Sequence, residues 1–407
     1  MPLTGINWSV LGYNSPRAVR VEPFTVNIPD NDLSDLKERL QRTRLAPEFA
    51  NDGWQFGTNG TYLNELLSYW VNDYDWRAAE AKINRFNNFK TTIDGIPIHF
   101  IHEKGKGPNP TPLILSHGWP WTFWDWHKVI GPLTDPVAHG GRAEDSFDIV
   151  VPSLPGYGFS NPMTTPGMNF WRTADLWVTL MRDVLGYDKF AAGGGDWGAL
   201  ITAQLGHKYI EHLIGVYVHL MAPLDIFNSE FPPLSAYAPD EKRYFERNEH
   251  FFAEESGYSA IQSTKPQTVA FALNDSPAGL CAWIVEKRRT WSDSSGDVET
   301  RFTKDELLTT ISIYWFTQSY GTSARYYYEC LHNPWQPTHN RKPVVEAPTA
   351  VGMFEEEVLV MPRSWADEYY NLQHFTKMNS GGHFAPMEEP DTLVDDIRSF
   401  YRKLRGE

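Results

Sequence analysis

Gly193-Gly194-Gly195-Asp196-Trp197-Gly198 is the stretch on which the reading of this chain turns. Phe190, Ala191 and Ala192 before it have the character of a short buried strand, and Ala199 to Leu205 after it that of a helix. A strand, a glycine-dense corner and a helix therefore meet at Asp196. Gly194-x-Asp196-x-Gly198 has the spacing of an elbow in which glycines permit a strained turn that raises one side chain above the carboxyl edge of a sheet. The raised group is a carboxylate, where the commoner occupant is a serine.

Upstream of the elbow the pattern is that of strands. From Lys90 the apolar period becomes two, through Thr91, Ile93, Ile96, Ile98 and Phe100, and Asp94-Gly95 between the two halves signals a hairpin. After a linker from Gly105 to Pro112, Leu113 to Leu115 reads as a buried strand ending in Ser116-His117-Gly118-Trp119-Pro120. Phe147 to Pro152 reads as another. Strands alternating with helical stretches predict an α/β chain whose mostly parallel sheet is covered by helices on both faces.

Downstream, Ile214 to Leu220 reads as one more buried strand, and then the pattern breaks. Residues 222–341 are helical, aromatic and polar without convincing strands, including Asp240 to Glu255, Leu280 to Trp291 and Lys304 to Glu329. Such a block between two core strands predicts a lid over the carboxyl edge of the sheet, where open α/β sheets bind ligands. Strand character returns at Thr349 to Met353 and His374 to Met378, and a final amphipathic run, Pro390 to Leu404, presents Leu393, Ile397, Phe400 and Leu404 on one side. The first 90 residues predict a helical meander around the core. In it, Asp32 is placed to cap a helix carrying Leu33, Leu36 and Leu40, and Tyr62 to Trp76 aligns Leu63, Leu66, Leu67 and Trp70. The expected organisation is a meander over 1–90, core over 91–221, lid over 222–341 and the rest of the core over 342–407.

Composition narrows the function. The 407 residues are 41% apolar and include 16 Trp, which suits a packed globular protein. A net charge of -15 disfavours nucleic acid and anionic membrane as partners, since both call for clustered Lys and Arg. Two cysteines, Cys281 and Cys330, are too few for a disulfide framework and fit a reducing compartment. The first twenty residues hold Trp8, Val10 and Leu11 but no apolar block of signal-peptide length, and no window approaches the ~20 apolar residues of a membrane span. A cytoplasmic protein without a membrane anchor is the expectation. The sequons at Asn7 to Ser9 and Asn59 to Thr61 carry little weight.

A carboxylate that attacks carbon forms an ester, and its release needs a base that takes a proton from water. His383 is the candidate, in Asn379-Ser380-Gly381-Gly382-His383-Phe384, directly after a predicted strand in a loop that can reach the sheet edge. An acid must orient that histidine. It should follow the strand ending near Met353, which leaves Glu355, Glu356 and Glu357 open, with Asp367 an outlier. Backbone donors for the oxyanion are expected at Trp197, after the elbow residue, and at Trp119, after the earlier strand.

Together, His117-Gly118-Trp119-Pro120, Gly194-Gly195-Asp196-Trp197-Gly198, Ala272-Leu273-Asn274-Asp275-Ser276-Pro277 and Gly381-Gly382-His383-Phe384 resemble the motifs of the microsomal-type epoxide hydrolases, a family of the α/β-hydrolase fold. Glu22 to Trp76 resembles that family's N-terminal domain, so the likeness spans nearly the whole chain. The resemblance implies that the triad acid is Glu357, in Glu357-Val358-Leu359-Val360-Met361-Pro362. It also implies two lid tyrosines that bind the epoxide oxygen: Tyr258, in Ser256-Gly257-Tyr258, and, within Arg325-Tyr326-Tyr327-Tyr328-Glu329, Tyr327 with Tyr326 and Tyr328 as its flanking alternatives. The implied partners are a small apolar epoxide and water, with no metal or organic cofactor, and the resemblance is compatible with a homodimer. A haloalkane dehalogenase also carries an elbow aspartate followed by tryptophan, but the lid tyrosines suit an alkoxide better than a halide. A non-catalytic lidded binding protein would need none of these groups, and a serine esterase would need a serine at position 196.

Overall fold

The computed structural model describes residues 20–407; Trp8, Val10, Leu11 and the Asn7 to Ser9 sequon lie outside them. Asp94 and Gly95 both take positive φ, 52° and 78°, as the tightest two-residue hairpin requires, and join two antiparallel strands in the register the period-two pattern sets. These are β2 (Asn88–Ile93) and β3 (Ile96–Glu103). With β1 (Glu22–Pro23), β4 (Thr111–Ser116), β5 (Phe147–Pro152), β6 (Phe190–Gly194), β7 (Leu213–Val218), β8 (Val345–Met353) and β9 (Tyr370–Lys377) they form one nine-stranded sheet in the order β1-β2-β3-β5-β4-β6-β7-β8-β9. Every pairing from β5 to β9 is parallel, and β1 to β3 add an antiparallel margin.

Both faces of the sheet are covered. Consecutive residues of β7 point opposite ways: a Cβ at Gly215 would meet Phe400 and Leu404 of the C-terminal helix Pro390–Arg405, whereas Val216 faces Gly206 of the helix Trp197–Lys208. The strands between such layers are buried along their length, as in β5 and β6, where every residue is buried and Asp148 of β5 is the one charged side chain, paired with Lys104. The fold is thus the mostly parallel, two-sided α/β architecture that the strand pattern predicts.

Between β7 and β8 lies a helical insertion, with helices Lys242–His250, Gly257–Thr264, Pro266–Asp275, Pro277–Thr290, Lys304–Thr317 and Tyr320–His332. The N-terminal helices lean on this insertion. Tyr69 donates to Asp305 at 2.9 Å, Tyr74 meets Thr309 at 3.1 Å, Thr58 donates to the Ala282 carbonyl at 2.7 Å and Arg39 pairs with Asp275 at 2.7 Å.

Several local readings are corrected. The first helix runs Asp30–Gln41 behind Pro29, so Asp32 lies within its first turn and makes no side-chain cap; its charge complements the positive helix end instead. The run from Tyr62 to Trp76 is two helices, Gly60–Asn72 and Trp76–Ile83, because Asp75 caps the second by accepting from the Ala78 amide. Lys304 to Glu329 is likewise broken, at Gln318, whose φ of 51° ends one helix before the next begins. The meander also contributes β1, a strand that the helical reading of residues 1–90 did not contain. Among the described residues no single helix is long and apolar enough to cross a membrane.

Candidate active site

Asp196 sits between β6 and the helix Trp197–Lys208 with φ 51° and ψ -130°, a conformation costly for a residue with a Cβ. The glycines around it are sterically required. A Cβ at Gly198 would run into the Ser116 carbonyl, one at Gly194 into the Gly198 backbone, and one at Gly118 into the Asp196 carboxylate itself. Held there, Asp196 accepts a hydrogen bond on Oδ1 from the Trp119 amide at 2.7 Å. The Trp197 amide is the first of its helix, where the backbone offers no intrahelical acceptor.

The loops after β8 and β9 bring the other half of the site. His383 is 1% exposed and its Nδ1 lies 2.6 Å from Glu357 Oε1, while its Nε2 faces Asp196 Oδ2 at 3.4 Å. Glu357 is also 1% exposed, and Oε1 accepts the Val358 amide at 2.8 Å. Its neighbours turn away: Glu355 pairs with Arg243 at 2.7 Å and Glu356 with Arg247 at 2.8 Å, and Asp367 pairs with the exposed Arg363. Of the three glutamates, only Glu357 reaches the histidine. Burial alone would push the His383 imidazole down, but the Glu357 charge and the approach of Asp196 outweigh it and hold His383 up at about 10.

From above, the insertion supplies two phenols. Tyr258 stacks on Trp119 with centroids 4.9 Å apart, and Tyr327 meets the Trp197 ring edge-on at 4.7 Å; the two tyrosine rings are themselves 5.7 Å apart. Burial first, then neighbouring negative charge including that of Asp196, raises both phenols well above the ordinary tyrosine value, so both remain protonated donors at neutral pH. Tyr326 bonds Thr173 at 2.8 Å, and Tyr328 stacks on His332. Tyr258, Tyr327, Asp196 and His383 line one cavity of about 530 Å³ whose remaining wall is largely apolar, with Leu220, Phe227 and Phe251.

Sequence reasoning missed the groups that hold this arrangement. Trp291 lies between Tyr258 (4.9 Å) and His383 (5.3 Å), and its carbonyl accepts the His383 amide at 2.9 Å. Arg288 forms a buried pair with Asp125 at 2.6 Å and donates to the Pro120 carbonyl at 3.0 Å, fastening the Trp119 loop to the insertion. Glu388 accepts backbone amides on both sides of His383; burial pushes its carboxyl up to about 7 against the pull of the Asp293 and Phe384 amides and of Arg301. His219, beneath Gly195, is kept neutral by burial, its value lowered to about 3. Arg288 and Glu388 read in sequence as ordinary surface charges, and their signal lies only in the contacts.

The parallel sheet and the elbow at its carboxyl edge define a protein of the α/β-hydrolase class, with a carboxylate in place of serine. The sequence profile described as "alpha/beta hydrolase fold" matches residues 111–275, and that described as "Epoxide hydrolase N terminus" matches residues 21–126. The chain is 41% identical to a candidate epoxide hydrolase of Stigmatella aurantiaca, over 95% of its own length and 86% of the relative's. It is 37% identical to "Epoxide hydrolase 1" of Sus scrofa, over 93% and 88%. The solved epoxide hydrolase of Aspergillus niger superposes with a TM-score of 0.83 at 29% identity, covering 95% of this chain and 97% of that one. The chain belongs to the epoxide hydrolase family.

Proposed function

We propose that this protein hydrolyses apolar epoxides to vicinal diols through an ester on Asp196, and that residues 222–341 act as the lid over a core formed by 91–221 and 342–407, with 1–90 as its brace. The observation that carries the reading is the pairing, in one cavity, of a carboxylate facing a buried histidine with two protonated phenols. A nucleophile as weak as a carboxylate opens an epoxide efficiently at neutral pH when an acid takes up the oxygen as carbon is attacked, and these groups are of those two kinds.

The Trp119 amide occupies Oδ1 of Asp196, which leaves Oδ2 as the attacking oxygen. Oδ2 bonds to a ring carbon, the C–O bond breaks, and Tyr258 or Tyr327 protonates the oxygen. Esterification removes the Asp196 charge that helps keep His383 protonated, so the imidazolium gives up its proton to restore the phenol. Neutral His383, oriented by Glu357, then takes a proton from water as the water attacks Cγ of the ester. The oxyanion forms on Oδ1, held by the Trp119 and Trp197 amides. Collapse expels the diol and returns the carboxylate, with His383 again protonated.

A halide-releasing reading draws on the buried indole N–H groups of Trp119 and Trp197, which have no hydrogen-bond partner among the described residues. A paired assay decides. Diol from an aryl epoxide and no bromide from a bromoalkane is the expected result; bromide without diol would overturn the proposal.

A further inference from the structure

The hydrolytic base sits on a loop whose backbone is fastened at each step. Glu388 Oε2 accepts the Gly382 amide at 3.0 Å and Oε1 the Phe384 amide at 2.9 Å, so one carboxylate holds the residues on both sides of His383. The same Oε2 accepts the Asp293 amide at 2.8 Å, from the segment that follows the helix Pro277–Thr290 of the insertion. Two residues earlier, the Trp291 carbonyl takes the His383 amide, and Asp293 Oδ2 accepts the Gly381 amide at 3.0 Å. Arg301 closes the ring, pairing with Asp293 and, at 2.8 Å, with Glu389. Since Trp291 also packs on Tyr258, the base and the acid of the site are referenced to one short segment.

We propose that Glu388 is a positioning residue for the second half of the reaction: by fastening both flanks of His383 to the base of the insertion, it sets the imidazole for its attack-assisting role on water at Asp196. The inference rests on the two-step reading above. Glu388 reaches neither Asp196 nor the tyrosines by hydrogen bond, and Trp291, which packs on Tyr258, is held separately by its amide on the Lys287 carbonyl at 2.9 Å, so ring opening is the less dependent step, whereas hydrolysis depends directly on His383 being correctly placed. Glu388→Gln keeps one acceptor oxygen but turns an amide NH₂ towards backbone N–H groups, and the loop has to shift to avoid that opposition.

The test separates the two half-reactions. With excess enzyme and an aryl epoxide, formation and decay of the Asp196 ester are followed by quenched-flow intact mass for the wild type, His383→Gln and Glu388→Gln, with Tm recorded for each. The expected result for Glu388→Gln is ester formation within about threefold of wild type and ester decay slowed about 10- to 100-fold, as a misplaced catalytic group produces. In steady state kcat and KM then fall together and kcat/KM is retained. Equal slowing of both steps with KM unchanged, or no slowing of decay, overturns the proposal. If Glu388→Gln is unfolded at the working temperature, Glu388→Asp, which withdraws the carboxylate by one methylene, is read in the same way. Failure of the two-step reading itself shows separately, as absence of any ester in His383→Gln while the wild type makes diol.

Discussion

Asp196 carries its charge in a backbone conformation that the surrounding glycines make attainable, and its two oxygens have different neighbours, an amide and an imidazole. Asp196→Ala is expected to reduce diol formation at least about 10³-fold, the scale on which loss of a covalent nucleophile registers; steady-state assay of an aryl epoxide checks it. Tyr258→Phe and Tyr327→Phe should each lower kcat/KM about 100-fold by removing an acid from ring opening. Tyr326→Phe, which loses only the bond to Thr173, should leave kinetics unchanged and cost about 1 kcal/mol in urea denaturation. Asp196 and His383 were readable from sequence because glycines mark both turns. Glu357 and Tyr327 were readable only through the family resemblance, because adjacent residues share composition yet point apart: successive positions on a helix diverge by about 100°, which sends Tyr326 to Thr173 and Tyr327 to the cavity. Glu388 was not readable at all, since its partners are backbone amides that no residue type reveals.

At the scale of elements, the alternation of strand and helix foretold the sheet, and the loss of alternation after β7 foretold the insertion. What escaped was short or interrupted. A two-residue β1 has no period to detect, and the breaks at Asp75 and Gln318 depend on a cap and a left-handed residue inside otherwise continuous amphipathic runs. Asn59 shows how such ends are secured: its side chain accepts the Tyr62 amide at 3.0 Å and donates to the Asn51 carbonyl at 3.0 Å. Asn59→Ala should therefore destabilise the protein by about 1 kcal/mol, measured by chemical denaturation, with kcat preserved because no residue of the helix Gly60–Asn72 lines the cavity.

Across the whole molecule, the sheet edge and the insertion converge on one buried charge set, and the stability of the fold registers it. His383 is raised in the folded protein, from 6.5 to about 10. Its contribution is fully present below pH 6.5, declines as pH rises and is lost above about 10. The Tm advantage of wild type over His383→Gln should accordingly shrink between those pH values, and an advantage that grew with pH would contradict the sign. The measurement that bears most directly on the ester at Asp196 is a single turnover in H₂¹⁸O with enzyme in excess over epoxide, followed by mass analysis of the diol and of the peptide containing Asp196. The account predicts ¹⁸O in the Asp196 carboxylate and essentially none in the first-turnover diol, because the diol takes its new oxygen from the carboxylate and water refills it. Label in the diol from the first turnover, with an unlabelled peptide, would contradict it.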